Sequence, residues 1–210
     1  MRRARAGRPR GIRRAPLEAR RPRQRWRGRA RREGVTMKTP TIVKKVCVLG
    51  DPAVGKTSLV GRFVNQQFGE EYVSTIGARV CEKRVRPGEE ASGPTVQLVI
   101  WDIAGQAQFT SVTPGFYRGA EGALIVCDPS RRETLRSLFS WEHRFRETAA
   151  ARNLIVLFNK TDLEARWEVS RAQAESVAGE LDCPCLFTSA KTGENVDEAF
   201  NTLAARMLRK

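Results

Sequence analysis

A chain of 210 residues, 40% of them hydrophobic, can fill one core of ordinary domain size, which excludes two large ones. Its 38 Lys and Arg against 23 Asp and Glu give a net charge of +15, a balance that taken alone points to nucleic acid or an anionic membrane. The distribution excludes the body from that reading: residues 1–36 hold fifteen Arg, no Lys and two Glu (+13), leaving 23 basic and 21 acidic residues (+2) in 37–210.

Arg, Pro, Gly and Ala dominate residues 1–36, with Ile12, Leu17, Trp26 and Val35 the only larger apolar side chains, so nothing there offsets the entropy of ordering. A disordered Arg-rich arm is expected, followed by a domain over 37–210. The arm is open to two readings. It is either a salt-sensitive tether to an anionic surface or an artefactual upstream extension of the reading frame ahead of Met37, and intact mass separates them. A single aromatic, Trp26, offers little for base stacking, so nucleic acid is not expected as a partner. With no apolar run of about eighteen residues and no apolar segment of a secretory leader, a soluble, cytoplasmic, non-secreted protein is expected. Five Cys (Cys47, Cys81, Cys127, Cys183, Cys185) without paired C-x-x-C spacing are expected to be reduced packing residues.

Ile42–Leu49 is a near-continuous apolar run that reads as a buried strand. Gly50-Asp51-Pro52-Ala53-Val54-Gly55-Lys56-Thr57, with Ser58 next, follows it and leads into a helical pattern, the context that G-x-x-x-x-G-K-[ST] requires. In such a loop backbone N–H groups and the helix N-terminus face phosphate oxygens, Lys56 neutralises β/γ charge, and the Thr57 hydroxyl serves Mg²⁺. Ala78–Val85 and Val96–Trp101 are joined by too few residues for a crossover helix and predict an antiparallel edge hairpin. Asp102 stands at the exit of the second strand, where a carboxylate reaches Mg²⁺ through water. Gly105 and Gln106 follow, a γ-phosphate contact and an amide able to orient an attacking water.

Ala123–Cys127, Leu154–Phe158 and Cys185–Thr188 continue the strands, alternating with helical spacing over Glu133–Ala151, Val169–Leu181 and Val196–Leu208. The alternation predicts an α/β fold with a mostly parallel sheet covered by helices. Asn159-Lys160-Thr161-Asp162 behind the Leu154–Phe158 strand has a chemical meaning. The Asp162 carboxylate accepts the two hydrogens of the guanine N1 and N2 edge, a pair that adenine does not offer. Asn159 can tie this loop to the phosphate loop, and Lys160 can lay its stem over the purine. The backbone of Ser189-Ala190-Lys191 can give an N–H to guanine O6. His143, Trp101, Trp141 and Trp167 read as surface or packing residues.

These motifs stand in family order with Tyr72-Val73-Ser74-Thr75-Ile76-Gly77, Trp101 to Gln106, Phe116-Tyr117-Arg118-Gly119-Ala120 and Ser189 to Val196. Over residues 41–208 the chain resembles a small GTPase of the Ras superfamily and is most similar to the Rab branch. The resemblance implies a P-loop NTPase fold of three layers with a six-stranded, mostly parallel sheet. It also implies a monomeric switch that binds GTP or GDP with Mg²⁺ and hydrolyses GTP slowly. By the same resemblance Thr75 binds Mg²⁺ and the γ-phosphate, Phe68 packs on the guanine, and segments 70–78 and 103–118 are switches. Those segments would be read by effectors, exchange factors and GTPase-activating proteins.

Three departures from the Rab pattern carry expectations. Pro52 fixes φ and removes a donor in the phosphate loop, so an altered response to an activating protein is expected, with GTP binding kept. Negligible hydrolysis, leaving a nucleotide-dependent interaction module, is the alternative. Ile103 and Ala107 replace the usual Thr and Glu and make the second switch more apolar. The chain ends soon after its last predicted helix without prenylation cysteines, so membrane contact is expected to be at most peripheral.

Overall fold

The computed structural model describes residues 40–66, 77–88, 93–105, 113–149, 151 and 153–209. The arm at 1–36, Phe68, Thr75, Gln106 and much of segments 70–78 and 103–118 lie outside the described residues. The unit Lys38–Lys210 contains all that are described.

Six strands form one sheet in the order β2-β3-β1-β4-β5-β6: β1 (Thr41–Leu49), β2 (Ala78–Val85), β3 (Thr95–Ile103), β4 (Gly122–Cys127), β5 (Asn153–Phe158) and β6 (Cys185–Phe187). All neighbouring pairs are parallel except β2 with β3, the expected edge hairpin. The helices are α1 (Lys56–Asn65), α2 (Thr113–Tyr117), α3 (Arg132–Thr148), α4 (Arg171–Glu180) and α5 (Val196–Leu208), with a 3-10 turn over Thr161–Arg166.

Strand side chains alternate between faces, and each face has its own helices. Val46, Val48, Leu124, Val126, Ile155 and Leu157 pack under α1 and α5, where Phe63 and Phe200 stack with ring centroids 3.9 Å apart. Cys47, Leu49, Ile125, Cys127, Val156 and Phe158 pack against Leu138, Trp141 and Phe145 of α3 and Ala174 and Ala178 of α4. A fully buried Leu, Val or Phe contributes about 1.5–3 kcal/mol by leaving water, so two apolar faces hold the sheet in the middle layer. This is why the central strands β4 and β5 read as nearly unbroken apolar runs. Cys47, Cys127 and Cys183 are buried free thiols and Cys81 and Cys185 are half-buried. Burial pushes the Cys47 and Cys127 thiols up to about 12, which suits inert packing.

Most boundaries differ from the sequence reading by one or two residues, and two of the differences have a clear physical cause or consequence. The helix expected to reach Ala151 ends at Thr148, where Ala149 turns extended (φ −96°, ψ 126°) so that the chain can enter β5. Strand β3 continues through Ile103, which places Asp102 inside the sheet, paired with Val48 and Arg79, instead of at a free exit. Helix α4 starts behind Ser170 because its side chain and that of Gln173 form a reciprocal capping box.

With five strands parallel, their carboxyl ends meet at one edge of the sheet. The chain leaves β1 toward β3 on one side and returns to β4 on the other, so this edge opens a crevice beside β1.

Candidate functional site

The loop Gly50–Gly55 lies in that crevice, between β1 and α1. Gly55, the N-cap of α1, sits at φ 101° and brings no side chain to cap the helix, so the N-terminus of α1 opens onto the loop. A Cβ at Gly55 would run into Asn159 Nδ2, and the left-handed φ excludes other residues as well. Ala53 also takes a left-handed conformation, φ 59°, at a cost of roughly 1–2 kcal/mol for a residue bearing Cβ.

Lys56 is buried, and its Nζ donates to Gly50 O (2.8 Å) and Asp51 O (2.7 Å). Burial lowers its pKa to about 8, while the Asp102 and Asp51 carboxylates pull it back up. The ammonium is thus held by neutral carbonyls in a cage that would gain from an anion.

Thr57 Oγ1 donates to Asp102 Oδ2 at 2.6 Å. Asp102 is fully buried, and its other oxygen, Oδ1, has no hydrogen-bond partner among the described residues. Burial raises its carboxyl above the ordinary range, opposed by the Thr57 hydrogen bond and by Lys56. An orphaned buried carboxylate oxygen beside a hydroxyl fits a hard cation with oxygen ligands. Gly105 closes this side: a Cβ there would stand 2.5 Å from Gly50 O and 2.6 Å from Lys56 Nζ, so only glycine lets its backbone lie against the loop.

The base side is built by β5 and β6. Asn159, 1% exposed, donates from Nδ2 to Val54 O (2.9 Å), and its Oδ1 accepts from Ala190 N (3.2 Å) and Thr188 Oγ1 (3.3 Å). One amide therefore joins the phosphate loop to the Ser189–Lys191 loop. The sequence suggested the first tie only; the second engages the Ala190 N–H, one of the donors expected to face guanine O6. Ser189 Oγ donates to Asp162 Oδ1 (2.6 Å), which orients an exposed carboxylate. Lys160, at φ 68°, places Nζ 2.6 Å from Asp128 Oδ2. Arg62 of α1 donates to Ala190 O (3.0 Å) and to Lys191 O, holding the same loop from below.

Asn159→Ala is expected to destabilise the protein by about 2–4 kcal/mol, since it removes up to three buried hydrogen bonds and strands their partners. Denaturant unfolding at constant m-value checks this. A loss under about 1 kcal/mol would deny that Asn159 bridges the loops.

Three contributors escaped the sequence reading. Trp141 packs as expected, and its Nε1 also donates to Asp51 Oδ1 at 2.7 Å, gripping the phosphate loop. Asp128 and Arg131 follow β4; Arg131 Nη2 donates to Pro52 O at 2.8 Å. The one signal in the sequence is a carboxylate directly behind the Ala123–Cys127 run, the same pattern that marks Asp102. His143 is a surface residue beside Glu147.

The sheet order, the phosphate loop and the base loop together define a P-loop nucleotide-binding protein of small G-protein type. The chain belongs to the Ras family, whose sequence profile matches residues 45–209. It is 39% identical over 167 residues to the Ras-related protein Rab-13 of Rattus norvegicus, covering 79% of this chain and 80% of that one. It is also 42% identical over 168 residues to the Ras-related protein Rab-4B of Homo sapiens, covering 79% and 76%. It is a Rab-like small GTP-binding protein that acts as a GTPase switch.

Proposed function

We propose that this chain binds guanine nucleotide with Mg²⁺ in the crevice at the strand ends and couples slow GTP hydrolysis to two switch segments. The observation that carries this reading is the Asn159 amide, which joins the loop of Val54 to the loop of Ala190 and makes one site of phosphate and base motifs.

In this reading the backbone of Asp51 to Gly55, Lys56, Thr57 and Ser58 surrounds the phosphates, and Asp162 and the Ser189–Lys191 loop read the guanine edge. Lys160, anchored at its ammonium on Asp128, covers the purine with its stem. Thr57 and Asp102, with Thr75 by family resemblance, would hold Mg²⁺, which supplies positive charge beside the β- and γ-phosphates. Gln106 orients the attacking water and Gly105 offers its N–H to the γ-phosphate; Phe68 packs on the base. Effectors, exchange factors and activating proteins read segments 70–78 and 103–118 on a monomer. No helix among the described residues is long and apolar enough to cross a membrane, and any membrane contact is peripheral.

Single-turnover hydrolysis of bound GTP tests the catalytic part. Gln106→Leu is expected to slow it by about tenfold to a hundredfold, the loss of one positioned catalytic group. An unchanged rate would favour a nucleotide-dependent interaction module in which Pro52 has already compromised hydrolysis.

A further inference from the structure

We infer that Asp128 and Arg131 are positioning residues that couple the base side of the site to the phosphate loop, so that each half holds the other in its nucleotide-binding geometry. The inference rests on the nucleotide reading above and names two residues outside the motifs quoted in the sequence.

Asp128 leaves β4 with its carboxylate 1% exposed. Oδ2 accepts from Lys160 Nζ (2.6 Å) and Arg131 Nε (3.3 Å); Oδ1 accepts from Ser130 Oγ (2.6 Å) and Ser130 N (3.1 Å). Burial alone would push this carboxyl up, but the hydrogen bonds from Lys160 and Ser130 outweigh it and hold it below the ordinary range. Its backbone is pinned too: Asp128 N donates to Thr134 Oγ1 (3.0 Å) at the start of α3. One rigid anion thus grips two cations that point to opposite halves of the site.

Arg131 carries the link onward through Nη2 to Pro52 O. In a planar trans peptide the carbonyl of Pro52 and the N–H of Ala53 point in opposite directions. Holding that carbonyl outward against Arg131 therefore aims the Ala53 N–H to the inner side of the loop. Pro52 has no N–H of its own, which makes the Ala53 donor harder to replace. Ala53 is the residue kept in a left-handed conformation, a geometry that needs an external hold. A guanidinium suits this task because its fork serves a carboxylate and a carbonyl at once.

The test is release of a fluorescent GDP analogue from the full chain, followed after dilution into excess GDP. Asp128→Asn is expected to speed release by about tenfold to a hundredfold, the loss of hydrogen bonds between charged groups, and Arg131→Gln by about threefold to tenfold. In a Lys160→Ala/Arg131→Gln background, adding Asp128→Asn should change release by less than about threefold, since both cations that it links are already gone and only its local contacts with Ser130 remain. A merely structural role predicts instead that its full factor persists in that background, and this outcome overturns the coupling. Acceleration by Lys160→Ala without acceleration by Asp128→Asn overturns the coupling alone. Wild-type protein that retains GDP no better than ADP overturns the guanine reading and the coupling with it. If Asp128→Asn does not fold, Arg131→Gln decides, because its side chain is a third exposed and tolerates the change; wild-type release from that variant overturns the inference.

Discussion

Lys56→Met is expected to lower GDP affinity by about 10²–10⁴-fold while the chain still folds. The ammonium sits in a cage of Gly50 and Asp51 carbonyls, deep enough for burial to bring its pKa to about 8. Two charge-assisted hydrogen bonds to phosphate oxygens are worth about 1.5–3 kcal/mol each, and an apolar isostere forfeits both. Methionine fills nearly the same volume without a charge to bury, so α1 keeps its contacts through Leu59, Val60 and Phe63. Lys56→Arg should fare almost as badly. The site is only 6% exposed, and a planar fork cannot occupy the pocket of a compact ammonium closed by Gly105. Isothermal titration with GDP, beside thermal melting of the nucleotide-free proteins, checks both variants. Wild-type affinity in Lys56→Met would remove the phosphate loop from the site.

The central strands were legible because burial on both faces writes them as apolar runs: β4 and β5 differ from their expected bounds by one residue at the start. The half-exposed edge strand β2 and helix α5 match their expected bounds. The places of the two candidate loops, behind β1 and β5, were legible because the spacing of Gly50 to Thr57 and of Asn159 to Asp162 is local in the chain. Asp128, Arg131 and Trp141 were not, because what they do depends on which loops the crossovers bring together. Arg131 meets Pro52 across 79 positions and Trp141 meets Asp51 across 90, and no periodicity encodes a contact of that range. The end of α3 was misread for a related reason. Three alanines at 149–151 favour helix, but Ala149 is buried and the path into β5 overrides propensity. The sequence pattern singles out Asp102 but puts it at a strand exit. Its position within β3 explains why the carboxylate is buried, with one oxygen lacking a hydrogen-bond partner among the described residues.

Asp162→Asn is expected to weaken GDP binding by about 10²–10⁴-fold and to turn the preference toward xanthosine diphosphate. The carboxylate is exposed at the mouth of the site, and its Oδ1 is already committed to Ser189 Oγ at 2.6 Å. In the variant the same hydroxyl, donating still, holds the amide oxygen toward Ser189 and leaves the NH₂ to face the base. Guanine then presents its N1 and N2 hydrogens to a donor, and two hydrogen bonds to a charged group, about 1.5–3 kcal/mol each, are lost. Xanthine carries a carbonyl at C2 and accepts from that NH₂, so the mismatch becomes a match. The phosphate half is untouched, since Asn159 still ties Val54 to Ala190. Competition of GDP and xanthosine diphosphate against a fluorescent nucleotide measures the exchange of preference. Undiminished GDP affinity in the variant would mean that Asp162 does not read the guanine edge, whereas weak binding of both nucleotides would trace the loss to the loop itself.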